Sequence, residues 1–229
     1  MSKHVYADKG LKSYFANIYQ YLGINLALAG AVAFFVSSNS ALFNFVIGTP
    51  FWYVVMFAPL GIAWYMSANM HSLSTGTMQV LYWVYGATIG ASLSSIFVIY
   101  TTESIFKCFF IASAIFMIAS IYGKTTSKDL SSMHSTLMVG LFGIVAVSIV
   151  NYFMHSAMIQ YILSWAIVAV FTGYIAFDMQ QLLAIYFTRQ SDEMVQKISI
   201  LGALHLFIAV VNIFIALLQL FGDRKKEDN

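Results

Sequence analysis

Seven apolar stretches, each of membrane length and separated only by short polar breaks, constrain this chain more than any other feature. They lie near 14–37, 51–69, 77–101, 105–123, 135–154, 158–186 and 198–222. A bilayer core of ~30 Å takes roughly 20 residues of helix. Within it only helices and closed barrels satisfy their own backbone groups. Breaks such as "SSNSALFN", "NMHSLSTG", "GKTTSKDLSS" and "TRQSDEMVQK" are too short to hold a folded domain. The expected fold is an all-α membrane protein, a seven-transmembrane-helix bundle over 14–222, with a tail at 1–13 and a polar tail at 223–229. Composition agrees: 60% of residues are hydrophobic, 9% are charged and the mean hydropathy is +0.80. A soluble domain carries about 25% charged residues, so this chain has too little polar surface to wrap a water-soluble globule.

The same composition narrows the partners. The net charge of +2 comes with no basic patch beside interleaved aromatics, so nucleic acid is not implied. The bilayer itself is the expected partner. The single cysteine, Cys108, excludes an intramolecular disulfide framework and reads as a small buried hydrophobe. "MSKHVYADKGLKS" is too long a polar lead-in, before too long a span, for a cleaved signal peptide.

Basic residues in the short connections set orientation. With the N-terminus inside, the inner segments hold Lys3, Lys9, Lys12, Lys124, Lys128, Arg189 and Lys197. The outer side holds Lys107, Arg224, Lys225 and Lys226. The expectation is a cytoplasmic N-terminus and, after seven crossings, a C-terminus on the opposite side. The basic tail pulls the other way, and an even count with one re-entrant span would put both ends inside.

Several features read as packing. Gly86, Gly90 and Ser94 recur every four residues and make a smooth face for a neighbouring helix. Pro59 lies inside the second span, where it removes a helical hydrogen bond and is expected to kink it. His71, His134 and His155 each sit in a "MHS" tripeptide at a span edge. The topology puts His155 opposite the other two, so the repetition reads as chance and no metal site is assigned.

Asp178 is different. It interrupts the sixth span with no Lys or Arg within ten residues on either side. About nine residues from the inner end of that span, it lies ~13 Å deep at 1.5 Å per residue. A carboxylate there costs roughly 2.5–3.5 kcal/mol on insertion scales, so the default reading is an ion or proton site. The bland alternative is a carboxyl that hydrogen-bonds a neighbouring backbone or stays protonated. On the seventh span His205, Asn212 and Gln219 recur every seven residues and share one stripe, expected to face the bundle as a polar seam. His205, about seven residues from a start near Ile198, lies ~10 Å deep and is the candidate partner for Asp178. If the two meet, each stabilises the charged form of the other and the pair titrates as a unit.

At these residues the chain resembles the Bax inhibitor-1 family of seven-helix membrane proteins, in its bacterial inner-membrane branch. The family's sixth helix carries a Tyr-Asp-Thr-Gln-like motif, which here reads Phe177-Asp178-Met179-Gln180. Its last helix is matched by "LFIAVVNIFIALLQLFG", from Leu206 to Gly222 through Asn212 and Phe214. "LSSIFVIYTTESI" and "YGKTTSKDLS" also look like that branch. The resemblance implies a pH-sensitive calcium leak that depends on two aspartates, one in each of the last two helices. Asp178 matches the first. The second position, three residues before Asn212, is Ala209. That departure matters, because paired carboxylates are what hold a hard cation and force a shared proton. Ala209 lies on the stripe of His205 and Asn212, so His205 is the expected replacement titrating partner.

Two functions follow from the resemblance. One is a cation leak with Asp178 as gate or ion site, His205, Asn212 and Gln219 beside it, and Ca²⁺ as a weakly held transported ion rather than a cofactor. The other is a non-conducting interaction protein that modulates a membrane-bound quality-control protease or another membrane complex. An enzyme is not expected. Too few His, Asp or Glu lie deep enough to build a zinc site, and the serines of "SLSS" have no base placed beside them.

Overall fold

The computed structural model describes residues 9–188 and 191–225. Lys3, Arg189 and Lys226, counted above for orientation, lie outside the described residues, as do most of the two tails. Among the described residues are nine helices: α1 (Lys9–Ser38), α2 (Ser40–Gly48), α3 (Phe51–Ala68), α4 (Thr75–Ser92), α5 (Ser94–Ile99), α6 (Thr102–Thr125), α7 (Met133–Met154), α8 (Ala157–Tyr186) and α9 (Asp192–Phe221). Seven spans are long and apolar enough to cross a membrane, with α4 and α5 together forming the third. The chain is an all-α, seven-helix integral membrane protein.

Span edges agree with the apolar stretches to within a few residues, except at the start of α9. That helix begins at Asp192, six residues before the expected Ile198. Ser191 caps it, its Oγ accepting from the Met194 N–H at 3.3 Å. Asp192 and Glu193 occupy the first turn, where carboxylates favour the positive end of the helix dipole. A second correction concerns "SSNSALFN". Asn39 Oδ1 accepts from the Leu42 N–H at 3.1 Å and starts α2, so most of this break is a capped helix.

The described residues group into two compact units, one drawn from 9–99, 185–188, 191–207 and Lys225, the other from Tyr100–Ala184 and Ile208–Arg224. In the first, α1 packs on α4 and α5, and α3 packs on α4. Asn25 of α1 is fully buried and donates to the Tyr82 carbonyl at 3.0 Å. Gly86 and Gly90 of α4 face α1, the former against the Asn25 side chain and the latter against the Ala29 backbone. α3 continues through the buried Pro59. Lys225 is tied in by its N–H to the Ile99 carbonyl at 2.9 Å and its Nζ to the Phe97 carbonyl at 2.8 Å.

The second unit is built on α6, α7, α8 and the later part of α9. On α7 the buried residues are Leu137, Ile144 and Asn151, one every seven residues. A single stripe therefore packs inward and most of the helix surface is open. Gly173 of α8 lies against Leu137, and Gly123 of α6 against the backbone of Ala176. Two residues join α7 to α8. His155 takes the left-handed conformation (φ 50°) and donates its N–H to the Asn151 carbonyl at 2.8 Å. The next N–H, of Ser156, goes to Asn151 Oδ1 at 3.0 Å. After α9, the chain pairs with the start of α6: Thr101 N–H donates to the Asp223 carbonyl, and Asp223 N–H to Ser104 Oγ, both at 3.0 Å.

Candidate functional site

Asp178 sits on α8, eight residues before its end at Tyr186, or ~12 Å along the axis. The segment around it is held on two sides. Two residues earlier, Ala176 meets α6 at Gly123, where no side chain separates the helices. Two residues later, Gln180 bridges the connection between α6 and α7. Its Oε1 accepts from the Leu130 N–H at 2.8 Å, and its Nε2 donates to the Lys128 carbonyl at 2.8 Å. Gln181 adds a bond to Ser131 Oγ at 3.2 Å. The same connection contains Asp129, whose Oδ1 accepts from the Ser131 N–H at 2.9 Å. That hydrogen bond, with the Ser131 hydroxyl, holds the Asp129 carboxyl below its usual range.

Within this frame the Asp178 carboxylate is half-buried and has no hydrogen-bond or ion-pair partner among the described residues. One turn earlier on α8, the Tyr174 hydroxyl is buried and likewise unpartnered. A carboxylate and a hydroxyl one turn apart share a helix face. Oxygens with unused lone pairs are groups able to accept a proton or a cation.

The seventh-span stripe is not uniform. His205 belongs to the first unit, thirteen residues from the start of α9, and has no hydrogen-bond partner among the described residues. Its side chain is exposed, so this end of the stripe does not face the bundle interior as expected. Asn212 is half-buried and turns its Nδ2 back to the Ile208 carbonyl of its own helix at 2.8 Å. Ala209 is 1% exposed and belongs to the buried apolar face of α9. Gln219 alone of the stripe reaches another helix. Its Oε1 accepts from Gln160 Nε2 at 2.8 Å and from Ser164 Oγ at 2.9 Å. Asn151 Nδ2 completes the chain by donating to Gln160 Oε1 at 3.3 Å. This polar network, joining α7, α8 and α9 beside the His155–Ser156 turn, escaped the sequence reading apart from Gln219. The polar residues Asn151, Gln160 and Ser164 in otherwise apolar spans were the available signal.

His134 and His155 lie at opposite ends of α7, and His71 lies in the first unit. Among the described residues no three His, Cys, Asp or Glu side chains converge on one point.

The family profile described as "Inhibitor of apoptosis-promoting Bax1" matches residues 11–226. The chain belongs to that family, the Bax inhibitor-1 family. An uncharacterized protein of Rickettsia prowazekii is 38% identical over 224 residues, covering 98% of this chain and 95% of that one. Inner membrane protein YbhL of Escherichia coli is 33% identical over 219 residues, covering 94% of each. A protein of Caulobacter vibrioides is 34% identical over 229 residues, covering 96% and 92%. The Bax inhibitor-1 match takes in both α8 and α9, so Asp178 and Ala209 fall within the family's own span.

Proposed function

We infer that this protein is a pH-sensitive cation leak of the cell inner membrane, in which the Asp178 carboxylate is the gate or ion site. The observation that carries this reading is the unpartnered state of Asp178, with the unpartnered Tyr174 hydroxyl one turn away. A structural carboxyl in a membrane span would be expected to have a hydrogen-bond partner, because an unsatisfied one is costly there. One carboxylate without a second at Ala209 suits a passing ion better than a resident one, since tight Ca²⁺ sites use six to eight oxygens. The transported ion in this reading is Ca²⁺, no cofactor is needed and no catalytic step is involved. The N-terminus is cytoplasmic and the C-terminus is on the far side. The basic inner connections and the seven crossings support this orientation.

Calcium-dye flux in proteoliposomes tests the reading. Flux should vary with pH in the native protein, and Asp178→Asn should abolish that variation. Asparagine resembles the protonated carboxyl in shape and charge, so the variant should conduct at every pH as the native protein does when acidified. Asp178→Asn with an unchanged pH profile would remove Asp178 from the gate.

Ala209 favours a second reading, a non-conducting protein that modulates a membrane-bound quality-control protease or another membrane complex. It predicts no flux above that of empty liposomes, and a stable complex after purification in mild detergent.

A further inference from the structure

The second unit contains an open groove of about 560 Å³ between α7, α8 and α9. It follows α7 from Leu141 to Phe153, roughly 18 Å at 1.5 Å per residue, and is walled on α8 by Ile167 and Phe171. The flanking surface of α7 is open and apolar, so the groove communicates with the bilayer rather than with water. Two polar side chains interrupt its apolar lining, the exposed Ser148 and the half-buried Asn212. The Ser148 hydroxyl has no hydrogen-bond partner among the described residues, unlike Ser113 or Ser164, which bond the carbonyl one turn back. Asn212 uses its Nδ2 on the Ile208 carbonyl, which leaves Oδ1 as a free acceptor.

We propose that this groove binds a neutral, single-chain lipid bearing a hydroxyl group, with its chain along α7 and its hydroxyl between Ser148 and Asn212. The chemistry selects the occupant. None of the lining residues is charged, so an anionic or zwitterionic head has no counter-charge there. A plain hydrocarbon chain would leave a donor and two acceptors unsatisfied in an apolar wall. A hydroxyl donates to Asn212 Oδ1 and accepts from the Ser148 hydroxyl, satisfying both. The volume falls within the roughly 300–1,000 Å³ of small-molecule sites. This assignment does not depend on ion conduction.

The test uses the full chain in phosphatidylcholine nanodiscs and two probes, a diazirine-bearing long-chain alcohol and the matched diazirine alkane. After irradiation, labelled peptides are mapped by mass spectrometry. The alcohol should label segments 141–153 and 167–171 about fivefold more than the alkane, the size of one net hydrogen bond. Excess unlabelled alcohol should remove that difference. Equal labelling by both probes, or alcohol labelling spread equally over other exposed spans such as α3, overturns the proposal. Ser148→Ala combined with Asn212→Leu should bring alcohol labelling down to the alkane level while the alkane is unaffected. An alcohol preference that survives the double substitution also overturns it. The two-probe comparison on the native chain decides without the variant.

Discussion

Gly90 of α4 and Ala29 of α1 bring two helix backbones into contact: a Cβ on Gly90 would stand 2.9 Å from the Ala29 Cα. No side-chain rotation relieves that clash, because the obstruction is main chain. Gly90→Ala should therefore force α4 and α1 apart and cost about 1–3 kcal/mol, the usual range for overpacking. Gly61, with nothing within 4 Å of its would-be Cβ, is the matched control. Thermal unfolding in detergent should show a clear drop for Gly90→Ala and none for Gly61→Ala. Equal responses would mean that helix propensity rather than packing decides both.

The unpartnered carboxylate on α8 carries a stability prediction of opposite sign to most core substitutions. If Asp178 is kept for its function, replacing it by leucine removes an uncompensated burial and should stabilise the fold by about 1–3 kcal/mol. A carboxyl that held a neighbour by hydrogen bonds would respond the other way, because its loss strands that neighbour. Melting temperatures of the native protein and Asp178→Leu, read beside the flux assay, separate the two roles.

Gln180 holds the 126–132 connection by one donated and one accepted hydrogen bond. Gln180→Ala removes both and should cost about 1–3 kcal/mol. The effect should be local, seen as faster amide exchange at Leu130 and greater protease sensitivity between 126 and 132. Gln180→Glu keeps the acceptor for the Leu130 N–H but loses the donor to the Lys128 carbonyl, and should fall between the two. Exchange at Leu130 that does not change in Gln180→Ala would show that the turn stands without it.

Asp129 gives the same connection a response to acid. Its carboxyl is held below the usual range because the ionised form accepts from the Ser131 N–H. A depressed folded value means that the contribution is complete above the unfolded value of about 3.9. It is lost as pH falls through the folded one. Exchange at the Ser131 amide, corrected for the intrinsic pH dependence, should accelerate only at pH below about 4. Asp129→Asn should flatten that dependence.

Span positions were legible because length and hydropathy suffice to define them, and all seven spans were found, with edges within a few residues except at the start of α9. Where a cap overrode polarity, the reading failed. Asn39 turned "SSNSALFN" into the start of α2, and Ser191 extended α9 back to Asp192. Of the candidate site, Asp178 was legible as a lone charge in an apolar run. Its lack of a partner was not, since that depends on which side chains the fold brings near. Gln219 was visible, but its ties to Gln160 and Ser164 join residues 59 and 55 positions apart, beyond any local pattern. The groove beside α7 was illegible for the same reason: three helices wall it.

The two-residue link at His155–Ser156 has a mechanical meaning. α7 and α8 are clamped at that end by both turn bonds to Asn151 and by Asn151 Nδ2 donating to Gln160 Oε1. A separation of α7 from α8 would therefore work like tweezers, with the pivot at the turn and the greatest travel at the start of α7, 22 residues away. At that far end Gln180 and Gln181 fasten α8 to the 126–132 connection, within one turn of Asp178. The latch and the carboxylate thus share the end with the longest lever arm, where a small opening angle would give the largest displacement.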